Sequence, residues 1–85
     1  MTEYGIEVRV TPRRGILDPQ GKAVGGALAS LGFDGVGEVH VGRLIVFNLA
    51  AADEAQARER AEAMCRQLLA NPVTEDFSVT VGSAA

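Results

Sequence analysis

The chain has 85 residues, 47% of them hydrophobic, and a net charge of −3. A chain this short buries only roughly 60–65% of its unfolded surface, so it forms one domain with a marginal core, yet it is too apolar to be disordered. The acidic balance argues against nucleic-acid binding, because such proteins carry a basic stripe that neutralises phosphates.

Nothing in the sequence directs the chain away from the cytoplasm. Residues 1–6 lack the basic start and apolar run of a signal peptide, and no stretch approaches the ~20 apolar residues that span a bilayer. The single cysteine, Cys65, cannot form an intramolecular disulfide and needs no oxidising compartment. We therefore expect a cytoplasmic protein without membrane contact.

The chain opens with a strand followed by a helix. Apolar residues at even positions alternate with polar ones over 4–10, which predicts a half-buried strand ended by Pro12. Asp18 then occupies a helix N-cap position, with Pro19 at the first helical residue, where its missing N–H costs nothing. The predicted helix runs to the residue before Gly32, its C-terminal stop.

Two adjacent glycines, Gly25 and Gly26, lie inside this predicted helix. Each costs ~1 kcal/mol relative to alanine in a helix interior. A helix keeps such residues where another backbone approaches closely, and that backbone belongs either to its own sheet or to a partner.

The middle of the chain carries an apolar face that continues through a turn signal. Odd-numbered positions of 39–49 are apolar on both sides of the Gly-Arg pair at 42–43. A two-residue hairpin at this pair would expose the apolar residues at 45, 47 and 49, so the pattern opposes it. Either a three-residue turn occupies 42–44, or 38–49 is one long or bent strand. We favour the strand, which exceeds the usual 3–10 residues and would extend into a partner's sheet.

A second helix and a last strand complete the predicted order. Asp53 is an N-cap with Gln56 three residues on, and the helix ends before Asn71, which precedes a proline. The apolar helix face predicted to pack on the sheet consists of Ala57, Ala61, Met64, Cys65 and Leu68. Alternating apolar residues over 77–81 predict the last strand.

The order βαβ(β)αβ predicts an α+β fold, namely a ferredoxin-like two-layer α/β sandwich. We expect a single domain over residues 1–85, with both helices on one side of the sheet. A sheet of this size, with a long or bent middle strand, is expected to be completed by dimerisation.

No group of residues predicts catalysis. His40 has no nucleophile or orienting partner suggested in sequence, and we expect an exposed or interfacial strand histidine. One histidine and one cysteine do not support a metal site. Segment 15–23 fails as a phosphate loop, because its glycine spacing is wrong and it lacks the hydroxyl residue. The acidic pair Glu75-Asp76 is expected to be solvated.

Exposed polar residues at the ends of rigid elements are the better candidates for function. Recognition residues commonly lie on loops that a scaffold holds in place. The candidates are Asp18, Gln20, Lys22, Arg43 and Asn71.

Two segments carry a resemblance to a known family. They are Leu-Asp-Pro-Gln-Gly-Lys-Ala-Val at 17–24 and Leu-Leu-Ala-Asn-Pro-Val-Thr-Glu-Asp-Phe at 68–77, with Val-His-Val-Gly-Arg at 39–43 between them. Over nearly its whole length the chain resembles the PurS family, the small subunit of phosphoribosylformylglycinamidine synthase. It departs from the family at the glycine pair 25–26, where a longer side chain is more usual.

The resemblance implies a non-catalytic accessory subunit in de novo purine biosynthesis. Its complex would convert formylglycinamide ribonucleotide to formylglycinamidine ribonucleotide with ATP, Mg²⁺ and ammonia from glutamine, while the chain itself would bind no cofactor. It would form a homodimer, or a tetramer of two dimers, that bridges a glutaminase subunit and a large synthetase subunit and assists ammonia transfer. The five polar candidates would then be partner contacts.

An alternative is a ferredoxin-like, dimeric, small-molecule-binding regulatory module. It would need a ligand pocket, for which 35–37 is the candidate loop. A small enzyme of the acylphosphatase kind is a weaker alternative, because 13–15 is a poor phosphate-cradling loop.

Overall fold

A computed structural model describes residues 1–84. The helices and strands are β1 (Thr2–Pro12), α1 (Pro19–Ser30), β2 (Arg43–Ala51), α2 (Glu54–Met64) and β3 (Glu75–Ser83), with a π-helical turn over Cys65–Leu69 that continues α2. The strands form an antiparallel sheet in the order β2-β1-β3. The α+β class and the ferredoxin-like order of the elements are therefore confirmed. Within 1–84, no helix is both long and apolar enough to cross a membrane.

The core lies between the sheet and α2, which packs on all three strands. The register brings the apolar positions together, because Ile6 lies opposite Phe47 on β2 and Val81 on β3. This places the even positions of β1 and the odd positions of its neighbours on one face, as their alternation predicts. The buried apolar residues are Ile6, Val8, Val10, Leu49, Ala51, Ala57, Ala61, Cys65 and Ala70.

The end of α2 departs from the predicted helix face. The amide of Ala70 donates to the carbonyl of Cys65 at 3.1 Å, which closes a π turn. A π turn contains an extra residue, so the side chain that follows Cys65 on the inner face is Leu69 and not Leu68. Leu69 packs against the core while Leu68 is 82% exposed. The prediction that Leu68 lies on the buried face is therefore wrong.

The predicted boundaries of α1 are confirmed. Asp18 is the N-cap, and its Oδ1 accepts a hydrogen bond from the amide of Gly21 at 2.9 Å. Gly32 follows the helix with φ +90°, a conformation that favours glycine. The amide of Phe33 then donates to the carbonyl of Leu28 at 3.1 Å, as in a Schellman motif.

The position of α1 differs from the prediction. Gly21 is its only buried residue, Leu31 just beyond its end is 74% exposed, and the helix makes at most marginal contact with the sheet. Among residues 1–84, α2 is therefore the helix that covers the sheet, and the expectation of both helices in one layer is wrong for α1. The resulting molecule is elongated, with extents of 51 × 27 × 15 Å.

Neither interpretation of the middle segment is correct. Residues 36–42 form no strand, and β2 begins at Arg43, so there is no hairpin and no strand over 38–49. The amide of Val41 donates to Asp18 Oδ2 at 2.9 Å. Its hydrogen bond thus goes to the start of α1, and the segment runs along that helix instead of along a neighbouring strand.

Glycines allow this close passage and provide a matched test. A Cβ on Gly21 would overlap the carbonyl oxygen of Val39, whereas one on Gly26 would meet nothing within 4 Å. We expect Gly21→Ala to lower the free energy of unfolding by about 1–3 kcal/mol, as overpacking does. Gly26→Ala should raise it by roughly 0.5–1 kcal/mol through helix propensity. Urea unfolding of both variants measures the difference, and equal effects would contradict the assigned packing.

Candidate functional site

Asp18 joins the start of α1 to the segment that returns towards β2. Its carboxylate accepts hydrogen bonds from the amides of Gly21 and Val41, each at 2.9 Å, and its side chain is only 9% exposed. The Gly21 amide, followed by that of Val41, holds the pKa of Asp18 below its ordinary value, because both donors favour the charged form. Asp18 is therefore ionised, and it both caps α1 and links the start of this helix to Val41.

His40 lies beside this carboxylate and outside any strand. Its Nδ1 is 3.5 Å from Asp18 Oδ2, and its Nε2 is 3.3 Å from Glu38 Oε1. The predicted strand position is wrong, since the segment forms no strand, and an acidic neighbour exists that the sequence did not suggest. The side chain is 31% exposed.

Arg43 and Glu75 form a bidentate ion pair, which is the second charged group of the site. Arg43 donates to the two carboxylate oxygens of Glu75 at 2.7 and 2.9 Å, and also to the carbonyl of Leu69 at 2.6 Å. Glu75 is only 19% exposed. Its pKa is lowered chiefly by the Arg43 hydrogen bond and then by the Asn71 amide, while Glu75 raises the pKa of Arg43. The expectation that Glu75 is solvated is therefore wrong.

Asn71 shapes the turn between α2 and β3. Its amide donates to Glu75 Oε1 at 2.8 Å, its carbonyl accepts from the Glu75 amide at 2.8 Å, and its Oδ1 accepts from the Val73 amide at 2.9 Å. Hydrogen bonds between Asn71 and Glu75 thus hold the two ends of the turn together, and Glu75 links the turn to Arg43. Asn71 thus uses its side chain as well as its backbone, and the bond from the Val73 amide to its Oδ1 is the Asx turn that an asparagine commonly forms.

One open cavity of about 380 Å³ lies between Asp18 and the Arg43–Glu75 ion pair. The residues that line it include Ile16, Leu17, Asp18, Gln20, Arg43, Thr74 and Glu75. The segments 17–24 and 68–77, far apart in sequence, therefore meet at one corner. We call this cavity the corner groove.

The corner groove brings together most of the polar candidates. Asp18, Gln20 and Arg43 line it. Asn71 does not line it, but its amide donates to Glu75, which does. Lys22 does not line it, and faces a second open cavity of about 460 Å³ between α1 and segment 37–40.

Sequence reasoning missed Glu75, the centre of the network. Its partner Arg43 lies 32 residues away, and no local pattern joins them. The available signal was Pro72, since a proline that starts a tight turn positions the following residues rigidly.

The groove is better suited to an apolar partner surface than to a charged ligand. Its carboxylates already accept from amides or from Arg43, while aliphatic residues around the two segments are exposed, with Leu17 at 73%, Leu68 at 82% and Val73 at 74%. Among residues 1–84, no group of three or more His, Cys, Asp and Glu side chains could hold a metal ion. A partner with apolar side chains fits such a surface better than a charged ligand does.

Comparisons with known proteins give a consistent result. The PurS family model, described as phosphoribosylformylglycinamidine (FGAM) synthase, matches residues 5–83. Phosphoribosylformylglycinamidine synthase subunit PurS of Synechocystis is 46% identical over 74 residues, which cover 87% of this chain and 74% of that protein.

Solved structures agree with the sequence comparison. PurS of Thermus thermophilus superposes with a TM-score of 0.85 at 38% identity, covering 98% of this chain and 99% of that one. A chain in the structure of PurLQS from Thermotoga maritima gives a TM-score of 0.86 at 26% identity, covering 95% of this chain and 99% of that one.

Proposed function

Since the chain belongs to the PurS family, we propose that it is the small, non-catalytic subunit of phosphoribosylformylglycinamidine synthase in purine biosynthesis. It bridges the glutaminase and the large synthetase subunit and assists the transfer of ammonia between them. The complex consumes ATP with Mg²⁺ and glutamine, and converts formylglycinamide ribonucleotide to formylglycinamidine ribonucleotide in the cytoplasm. The chain itself supplies no reacting group.

The corner groove is the observation that carries this function. Two segments typical of the family meet there, their charged side chains are held by internal hydrogen bonds, and aliphatic residues beside them face outward. A rigid surface of this kind binds a neighbour without losing much conformational entropy. We assign Asp18, Gln20 and Arg43 to the contact with a partner subunit, Asn71 to shaping the same surface, and Lys22 to a contact beside it.

A bridging subunit acts by proximity. It raises the effective concentration of one active site at the other, and a closed interface keeps water away from ammonia in transit. Both effects are specific to glutamine as the nitrogen source, since free ammonia reaches the synthetase directly.

A homodimer, or a tetramer of two dimers, fits the exposed apolar residues of α1. The helix buries only Gly21, and the described chain covers its sheet with a single helix. A chain this short has a marginal core, and a second copy would enlarge it.

Reconstitution tests the function. Glutamine-dependent turnover by the two large subunits should fall to background without this chain and return when it is added, while ammonia-dependent turnover should change little. A synthetase with full glutamine-dependent turnover in the absence of this chain would refute the proposal.

The regulatory-module alternative has one observation in its favour, the open cavity beside Gly37, Glu38 and Lys22. Calorimetry of the isolated chain against nucleotides and amino acids separates the two functions. A bridging subunit should give no tight binding in that experiment.

A further inference from the structure

Glu75 lies where the ends of several elements meet. Its carboxylate oxygens accept from Arg43 at 2.7 and 2.9 Å, and Oε1 also accepts from the Asn71 amide at 2.8 Å. Its backbone carbonyl accepts from Arg13 Nε at 3.3 Å. Glu75 is the first residue of β3, so it links this strand to the start of β2, to the turn after α2 and to the chain just beyond β1.

These contacts leave Glu75 little capacity to bind another molecule. Its side chain is only 19% exposed and both oxygens already accept hydrogen bonds, whereas the side chain of Arg43 is 48% exposed. A pair with two parallel bonds is geometrically specific as well as strong, so it restrains the orientation of Arg43. Arg43 also donates to the carbonyl of Leu69 at 2.6 Å, which includes the π turn in the same arrangement.

We propose that Glu75 is a positioning residue for the partner contact, and that its ionised carboxylate holds Arg43 and the turn 70–75 in the geometry that a large subunit binds. The inference rests on the proposed bridging function and adds the residue on which the contact surface depends. Glu75 acts through Arg43 and Asn71 and does not touch the partner. A surface that is ordered before binding loses less conformational entropy on association.

The negative charge of Glu75 is necessary for this arrangement. The carboxylate faces three N–H donors, two from Arg43 and one from Asn71, and an ionised carboxylate only accepts. The Arg43 hydrogen bond, followed by the Asn71 amide, lowers the pKa of Glu75, which keeps the carboxyl ionised at neutral pH. A glutamine here would direct its own NH2 group at one of these donors in either orientation of its amide.

Amide hydrogen exchange of the isolated chain tests the first step of the proposal. In Glu75→Gln, exchange at the Asn71 amide should accelerate by roughly tenfold or more, because a hydrogen bond to a charged acceptor is lost. The amides in the middle of β1, between β2 and β3, should keep their protection. A residue that only stabilised the whole fold would lower protection in β1 as well.

Titration of glutamine-dependent turnover tests the second step. The two large subunits are titrated with the unmodified chain or with Glu75→Gln. The chain concentration at half-maximal turnover should rise by roughly tenfold or more for the variant, in proportion to the lost hydrogen bonding. Turnover at saturating chain should be unchanged, since Glu75 touches no reacting group. Glu75→Asp keeps the charge on a shorter side chain, so its half-maximal concentration should lie between the two.

Asp76→Asn is the matched control, because it removes the same charge from the next residue along β3. Asp76 is 67% exposed, and its ion pair with Arg13 is 3.2 Å long. Since exposed ion pairs contribute little, the half-maximal concentration should change by no more than about twofold.

The outcomes separate the positioning role from the bridging function. Faster exchange at Asn71, a raised half-maximal concentration and unchanged maximal turnover together support the role. Weaker binding with unchanged exchange at Asn71 would make Glu75 a direct contact and overturn the role. Unchanged binding of Glu75→Gln, or an equal loss for Asp76→Asn, also overturns it and leaves the bridging function standing. If the unmodified chain restored no glutamine-dependent turnover, the bridging function and the positioning role would both be refuted.

Discussion

Arg43→Glu is expected to weaken binding to the two large subunits by roughly tenfold or more, which is about 1.4 kcal/mol or more of binding free energy. The substitution places a carboxylate opposite Glu75 and removes the donor to the carbonyl of Leu69. Both changes release the turn at Asn71, whose amide depends on the same Glu75 carboxylate. The corner groove then loses one wall.

The sheet should survive this substitution. Arg43 is the first residue of β2 and pairs only at the end of the ladder, opposite Val10. We therefore expect an almost unchanged circular dichroism spectrum together with reduced glutamine-dependent turnover. The turnover with Arg43→Lys should lie between that of the unmodified chain and that of Arg43→Glu, since an ammonium keeps the charge but not the bidentate geometry.

Arg14→Glu is the matched control, because it makes the same charge change in an exposed turn. Binding is measured by calorimetry or by titrating turnover with each variant. If Arg43→Glu and Arg14→Glu bound equally well, the corner groove would not be the contact surface. Global unfolding of Arg43→Glu would show instead that the ion pair maintains the whole fold.

Ile6→Ala should be the most damaging substitution for stability. Ile6 is fully buried at the centre of β1, between Phe47 and Val81. Truncating such a side chain costs about 2–5 kcal/mol, while a chain of this size has a total stability of roughly 4–13 kcal/mol. The Tm should therefore fall by roughly 10 °C or more.

Val46→Ala is the control for this substitution. Val46 lies on the adjacent strand but on the opposite face of the sheet, and it is 62% exposed. Its truncation should change the free energy of unfolding by no more than about 0.5 kcal/mol. Thermal unfolding at one protein concentration compares the two variants, and similar Tm losses would contradict the assignment of the core face.

The local parts of the fold were predictable from the sequence. Asp18, Gly32 and Asp53 mark helix boundaries through side-chain caps and backbone conformations that depend only on close neighbours in sequence. Alternation along β1 likewise predicted its buried face, because side-chain direction in a strand has a fixed period.

The parts that depend on distant contacts were not predictable. Leu68 was misplaced because a single π turn rotates the helix end, and nothing in its own side chain signals that turn. Glu75 was missed because its partner is on another strand. The start of α1 is linked to the segment before β2 by the Asp18–Val41 hydrogen bond, which joins residues 23 positions apart. The polar candidates were found because they lie at element ends, yet their network required the folded chain.

The internal pairing of charges at the corner groove has a kinetic consequence. Glu75 is neutralised by Arg43, so little field extends from this ion pair into solvent, whereas Asp18 accepts from neutral amides and keeps its negative charge. The Arg43–Glu75 pair should therefore contribute little to long-range attraction between the subunits, or to the change of their association rate with ionic strength.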